Sequence, residues 1–159
     1  MQAPEPQPEH RWLQKLVGEW TYEGGTTDGD STHDSTGTET VRPLGDLWIL
    51  AEGSGEMPDG SPATTLMTLG FDSERQRFVG TWAGSMMPYL WIYDGGLDTA
   101  GKVLTLESDG PSMRGDGSMD RYRDVIEIVD DDRRLLRSQV HRDDGEWHEF
   151  MVMTYRRRR

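Results

Sequence analysis

The sequence predicts an all-β fold: an antiparallel up-and-down β-barrel of about ten strands, preceded by a short N-terminal helix. Runs in which apolar and polar residues alternate recur along most of the chain, and this period of two is typical of strands with one buried face. Links of hairpin length separate most of the runs. The length of 159 residues suits one domain, and closing the barrel protects every strand edge. A two-sheet sandwich is the alternative.

The helix is predicted near the N-terminus. Residues 1–8 are rich in proline, and we expect this segment to be flexible. Pro8 suits the first turn of a helix, and Leu13, Leu16 and Val17 follow at helical spacing. We expect this helix to close one end of the barrel.

The barrel is expected to form one domain over residues 9–157. After Gly18 the hydrophobic period changes to two, which places Trp20 and Tyr22 on the same face of the first strand. Trp20 is expected to pack against the helix and to be largely buried.

The remaining runs are bounded by turn signals such as Pro58-Asp59-Gly60, and no second helical pattern interrupts them. The ten predicted strands cover residues 19–26, 37–42, 47–57, 63–71, 77–86, 89–94, 102–108, 122–129, 134–141 and 147–155.

The last two hairpins predict which side chains enter the barrel. If Asp144-Gly145 is a two-residue turn, Ser138 lies opposite Met151. A three-residue loop at 130–132 then continues the same face onto the preceding strand. The more apolar face, which we expect to point inward, carries Tyr122, Asp124, Ile126, Ile128, Leu136, Ser138, Val140, Trp147, Glu149, Met151, Met153 and Tyr155.

Charge and composition exclude several classes of function. The formal charge of −12 argues against nucleic acid and anionic membranes as partners. The absence of cysteine excludes disulfides, thiolate catalysis and cysteine-bound zinc. The four histidines form no metal-binding motif, so neither a metal nor a cofactor is expected. No signal peptide or membrane-spanning run is visible. We therefore expect a cytoplasmic protein, and homo-oligomerisation is left open.

Several segments resemble a bacterial family catalogued as domain of unknown function 1579. They are LQKLVGEWTYEG, GTETVRPLGDLWILAEGSGEMPDG, ATTLMTLGFD, RFVGTWAGSMMPYLWIYDG, YRDVIEI and EWHEFMVMTYRR, and they extend from about Leu13 to Arg157. The blocks VGTWAGSMM and HEFM are the most specific. The family is lipocalin-like, within the calycin type of barrel. This resemblance implies a β-barrel with an internal cavity and brings no established activity.

We predict that the barrel binds a small, largely apolar molecule. The chain has six Trp, five Tyr and nine Met although only 33% of its residues are hydrophobic, and such side chains suit the wall of a ligand cavity. The residues predicted to line the cavity are Tyr22, Trp82, Met86, Trp91, Tyr122, Asp124, Glu149, Met151 and Tyr155.

Two other functions are open at this stage. Asp124 and Glu149 are candidate catalytic residues for an isomerase, cyclase or hydrolase, because apolar surroundings raise the pKa of a carboxyl group. They could instead belong to a buried hydrogen-bond network. Residues 16–24 also resemble the start of nitrobindin-type haem proteins. Haem would need an inward histidine, whereas the predicted register turns His141 and His148 outward.

Overall fold

A computed structural model describes residues 4–26 and 34–159. These ranges contain one helix and ten strands. The helix α1 spans Pro8–Gln14, and the strands are β1 (Gly18–Thr26), β2 (Asp34–Leu44), β3 (Trp48–Glu56), β4 (Pro62–Asp72), β5 (Arg77–Gly84), β6 (Met87–Leu97), β7 (Val103–Pro111), β8 (Met119–Asp130), β9 (Arg133–His141) and β10 (Trp147–Arg157).

The strands form one closed antiparallel barrel. Each strand pairs with the next one in the sequence, and β1 pairs with β10 to complete the circle. The predicted fold class and all ten strands are confirmed, with ends that shift by a few residues. The loop after β7 is shorter than predicted, because Pro111 pairs with Met119 and extends both strands. In the described part of the chain, no helix has the length and apolar character needed to cross a membrane.

The helix closes one end of the barrel, as predicted. Its residues Trp12 and Leu13 are buried, together with Leu16 in the turn that follows. Trp20, only 2% exposed, packs in the same cluster. Its indole Nε1–H donates a hydrogen bond of 2.9 Å to the Leu16 carbonyl oxygen. The expected burial of Trp20 is therefore confirmed, and the bond links β1 to the helical turn.

Arg157, near the end of β10, fastens the same turn. Its guanidinium carbon lies 4.2 Å from the centroid of the Trp20 ring. The guanidinium donates hydrogen bonds to the carbonyl oxygens of Val17, at 2.7 Å, and Lys15, at 2.9 Å. Gly18 has a φ of 143°, and a Cβ atom there would collide with this guanidinium. Glycine is thus required where the helical turn becomes a strand.

His10 joins the helix to β4 and is buried. The backbone N–H of Gln7 donates to its Nδ1 at 2.9 Å, and its Nε2 lies 3.0 Å from the Phe71 carbonyl oxygen. Because a carbonyl can only accept, Nε2 is the donor of the second bond, while Nδ1 accepts the first. This histidine therefore serves the closed end of the barrel.

The last hairpin differs from the prediction in its turn. In place of a two-residue turn at Asp144-Gly145, a loop over 142–146 joins β9 to β10, closed by a bond of 3.0 Å from Arg142 N–H to the Glu146 carbonyl oxygen. Trp147 consequently pairs with His141, one position away from the predicted register.

A β-bulge at Phe150 then restores the predicted register. Beyond the bulge Met151 lies opposite Ser138, as expected. Before it, Glu149 lies opposite Gln139, a residue of the outer face. The predicted inward orientation of Trp147 and Glu149 is therefore wrong, because the loop and the bulge each shift the pairing by one residue.

The preceding hairpin keeps the predicted faces through a different turn. β8 ends at Asp130 and β9 begins at Arg133, so the loop has two residues instead of three. A register shift after Ile128 compensates for the difference. Asp124 still lies opposite Ser138, on the inner face, as the predicted register requires.

Candidate ligand cavity

The barrel encloses a cavity of about 450 Å³. Leu16 and Val41 line it at the closed end, next to the helical turn. At the opposite end it reaches Met86 and Met113, which are exposed. A volume of this size is within the range of about 300–1,000 Å³ that small-molecule sites occupy.

Aromatic and methionine side chains make up nearly half of the residues that line the cavity. Rings are rigid and apolar, whereas methionine is flexible and polarisable, so together they can follow the outline of an apolar molecule. The lining includes Tyr22, Trp82, Trp91, Tyr93, Tyr122, Phe150 and Tyr155, together with Met57, Met67, Met86, Met87, Met113, Met151 and Met153.

Eight of the nine residues predicted for the site lie in this wall. They are Tyr22, Trp82, Met86, Trp91, Tyr122, Asp124, Met151 and Tyr155. Glu149 is the ninth, and it lies on the outer face, where its carboxylate accepts a hydrogen bond of 3.2 Å from Arg137. The bulge at Phe150 causes this difference. Asp124 is the one candidate catalytic carboxyl that reaches the cavity.

Asp124 projects from the middle of β8 into the cavity. Its two carboxyl oxygens accept hydrogen bonds from the Tyr93 hydroxyl and from Ser138 Oγ, the latter at 2.7 Å. Among the described residues, no lysine, arginine or histidine nitrogen forms an ion pair with this carboxyl group. Burial raises the pKa of Asp124, and the two hydrogen bonds partly offset that rise.

Tyr93 and Ser138 were not predicted as site residues. Tyr93 is buried, and its pKa is raised well above the usual value by burial and by the adjacent Asp124 carboxylate. Its hydroxyl therefore stays protonated and acts as a donor. Period-two alternation along β6 from Trp91 could have identified Tyr93, since the two residues share a face.

A second polar group, Arg134 with Glu39, lies near the closed end of the cavity. Arg134 is 5% exposed and donates from Nη2 to the Glu39 carboxylate. Its guanidinium carbon lies 3.9 Å from the Tyr155 ring centroid and 4.7 Å from that of Trp20. Burial, followed by the nearby Glu39 carboxylate, raises the pKa of Tyr155. Each charge of the ion pair therefore has a partner, although Arg134 Nε has no hydrogen-bond partner among the described residues.

The described histidines do not line the cavity. His10 is bonded at the closed end, and His141 lies exposed on the outer face. His148 has the register of an inward residue, contrary to the prediction, but it lies at the rim and its Nε2 is 2.7 Å from Asp144 Oδ2. His33 lies outside the described residues. The described chain also lacks any group of three or more His, Asp or Glu side chains that could hold a metal ion.

The fold and the cavity define a lipocalin-like β-barrel, with a helix at one end and an internal space that opens at the other. The chain belongs to the DUF1579 family, described as proteins of unknown function, whose model matches residues 5–157. The family resemblance seen in the sequence is therefore confirmed. A search of curated proteins found no significant match.

Solved structures with a similar fold have low sequence identity. Rv2717c from M. tuberculosis has a TM-score of 0.67 and 17% identity, over 98% of this chain and 100% of that one. The S-type phycobiliprotein lyase CPES from Guillardia theta has a TM-score of 0.58 and 13% identity, over 97% and 98% of the two chains. A de novo designed fluorescence-activating β-barrel has a TM-score of 0.52 and 16% identity, over 92% and 96%.

Proposed function

We propose that this protein binds a small, largely apolar molecule inside its barrel. The observation that carries the proposal is the cavity of about 450 Å³, whose wall is mostly apolar, rich in aromatic and methionine side chains, and includes a few polar groups. A mainly apolar pocket with a few convergent polar groups is the usual form of a small-molecule site. The eight predicted residues in its wall, from Tyr22 to Tyr155, are proposed to contact the ligand.

Two of the similar structures add support at the level of the fold. One is described as a phycobiliprotein lyase and the other as a fluorescence-activating designed barrel. Both descriptions are compatible with a barrel that holds a small molecule. Their identity to this chain is low, so the proposal depends on the cavity itself.

The first experiment is native mass spectrometry of the freshly purified protein. A retained small molecule would add a discrete mass to the chain, and fragmentation would give its chemical class. The same spectrum would report whether the chain forms a homo-oligomer.

A second experiment blocks the cavity. Ala63 on β4 is buried and lines it, so Ala63→Phe would place a ring in the space meant for the ligand. Ala83 on β5 is exposed, and Ala83→Phe is the matched control outside the barrel. Isothermal titration with a neutral naphthalene probe, naphthylmethanol, should show lost binding only for Ala63→Phe. Equal binding by both variants would count against the cavity as the site.

A cavity enzyme of the isomerase, cyclase or hydrolase type is the second candidate. It is favoured by Asp124, a carboxyl group with a raised pKa that lines the cavity beside the Tyr93 hydroxyl. A buried carboxyl group with a raised pKa suits general acid–base work. The test compares the small molecules retained by the wild type and by Asp124→Asn. An enzyme would retain chemically different molecules in the two proteins, whereas a binding protein would retain the same molecule, at lower occupancy in Asp124→Asn if this residue contacts it.

A further inference from the structure

We infer that the ligand of this barrel carries a positively charged amine, and that Asp124 binds it. This inference rests on the proposed function and specifies the chemical class of the ligand. It comes from the placement of Asp124, which forms no ion pair with a cationic side chain of the described residues, in a wall that is mostly apolar.

The first argument is the incomplete bonding of Asp124. A carboxylate can accept about four hydrogen bonds, and Tyr93 and Ser138 supply two. Both donors are hydroxyl groups, so they bring no positive charge. Asp124 is partly accessible and lines the cavity, which leaves acceptor positions for a ligand. An ammonium group would provide both the missing hydrogen bonds and the missing charge.

The second argument is the charge balance of the cavity wall. Its ionisable acids and bases are Glu39, Glu56, Asp124 and Arg134. Arg134 is paired with Glu39, so the remaining charge of the wall is negative. The whole chain has a formal charge of −12, which attracts cations towards the protein and repels anions.

The third argument is the ring content of the wall near Asp124. Tyr122 lies two residues away on the same face of β8, and it contacts the rings of Trp91 and Phe150 at centroid distances of 5.0 Å and 6.1 Å. The faces of Trp and Tyr rings attract cations, most strongly where water is excluded. A cationic head group is therefore accommodated by the rings as well as by the carboxylate.

Arg134 is the competing anchor, because a ligand carboxylate could bind it. Its guanidinium, however, already donates to Glu39 and lies over the Tyr155 ring. A ligand carboxylate would have to approach beside Glu39 or displace it from the ion pair. The cavity wall thus has a carboxyl group, Asp124, that no cationic side chain of the described residues pairs with, and a guanidinium, Arg134, whose charge Glu39 neutralises.

The experiment measures three probes that share one naphthalene ring and one point of attachment: naphthylmethylamine, naphthylmethanol and naphthoic acid. At neutral pH they are positive, neutral and negative. Isothermal titration with the wild-type protein should rank the amine first, about tenfold or more tighter than the alcohol, as expected for one charge-assisted hydrogen bond. The acid should bind most weakly.

Two variants locate the effect. Asp124→Asn should remove the preference for the amine, measured as the ratio of the dissociation constants of naphthylmethanol and naphthylmethylamine. Glu149→Gln is the matched control, because it neutralises a carboxylate on the outer face of the same barrel, where Glu149 pairs with Arg137. It changes the net charge equally and should keep the preference.

The outcomes distinguish the inference about a cationic ligand from the proposed binding function. Equal affinity for amine and alcohol in the wild type would overturn the inference and leave the proposed binding function standing. Tightest binding of the acid would also overturn it and would indicate Arg134 as the anchor. Failure of all three probes to bind would count against the proposed function itself. The wild-type ranking needs no variant, so the inference stays testable if Asp124→Asn does not fold.

Discussion

Replacing Trp20 with alanine tests whether the helix and the barrel form one cooperative unit. Trp20 is 2% exposed, and its indole N–H donates to the Leu16 carbonyl oxygen at 2.9 Å. Its ring also lies between the guanidinium groups of Arg134 and Arg157, at 4.7 Å and 4.2 Å. The substitution would therefore remove packing, a hydrogen bond and two cation–π contacts together.

The expected cost follows from these contacts. Truncating a buried aromatic residue to alanine costs about 3–5 kcal/mol, and an unmade hydrogen bond at a buried carbonyl adds about 1 kcal/mol. We expect Trp20→Ala to lower the free energy of unfolding by about 5 kcal/mol. Trp20→Phe keeps a ring and should cost about 1–2 kcal/mol, mainly the lost N–H donor.

Urea unfolding followed by circular dichroism gives these differences from the shift in midpoint. For a slope of about 2 kcal/mol per molar urea, Trp20→Ala should move the midpoint by about 2.5 M. The matched control is Trp48→Ala on β3, where the indole is 39% exposed and covers Gly70; it should cost about 1 kcal/mol. Equal losses at Trp20 and Trp48, or none at Trp20, would refute the proposed role of the helix.

Three other predictions concern the polar residues. Burial raises the folded-state pKa of Asp124 above 3.8, so its contribution to stability is fully present below that value and is lost as the pH rises through the folded pKa. The free energy of unfolding of the wild type should thus fall relative to that of Asp124→Asn as the pH rises from about 4 through the folded-state pKa. Urea unfolding at several pH values measures this difference, and parallel pH profiles would contradict it. Tyr93→Phe removes a hydrogen bond that lowers the pKa of Asp124. Carbon NMR of the Asp124 carboxyl group should therefore show a higher titration midpoint in this variant than in the wild type. An unchanged midpoint would mean that the bond does not form in solution. Arg157→Lys should lower the free energy of unfolding by about 1–2 kcal/mol in the same assay, because a lysine cannot donate to several carbonyl oxygens in one plane while it covers the Trp20 ring. A loss near zero would show that Arg157 does not stabilise the helical turn.

The strands and the closed end could be predicted because local patterns specify them. Alternation with a period of two marks each strand, and Gly18 marks the change from helical turn to strand. Asp124 was placed correctly for a less direct reason. The loop before β9 is shorter than predicted, but the shift after Ile128 compensates for it. The predicted inner face of β8 is therefore correct although the predicted length of the turn is wrong.

Glu149 could not be placed from the sequence, because its orientation depends on a bulge. The ring of Phe150 lies 6.1 Å from that of Tyr122, across the interior of the barrel. This contact between β8 and β10 depends on packing in the folded barrel. The sequence around position 150 contains no local pattern that predicts the bulge. The ion pair of Arg134 with Glu39 is a further example, since 95 positions separate the two residues. Only closure of the barrel brings them together.

The pairing of β1 with β10 determines the point during synthesis and folding at which the cavity can form. These two strands are the first and the last of the barrel, and Tyr22 lies opposite Tyr155 at their junction. Until β10 has left the ribosome, the nascent chain is an open sheet whose two edges are both unpaired, and contacts this distant in sequence form slowly. A ligand can therefore be enclosed only after β10 has been synthesised and has paired with β1. A shortened chain that lacks β10 cannot close the barrel, so it loses the whole binding site and not only the part of the wall that β10 supplies.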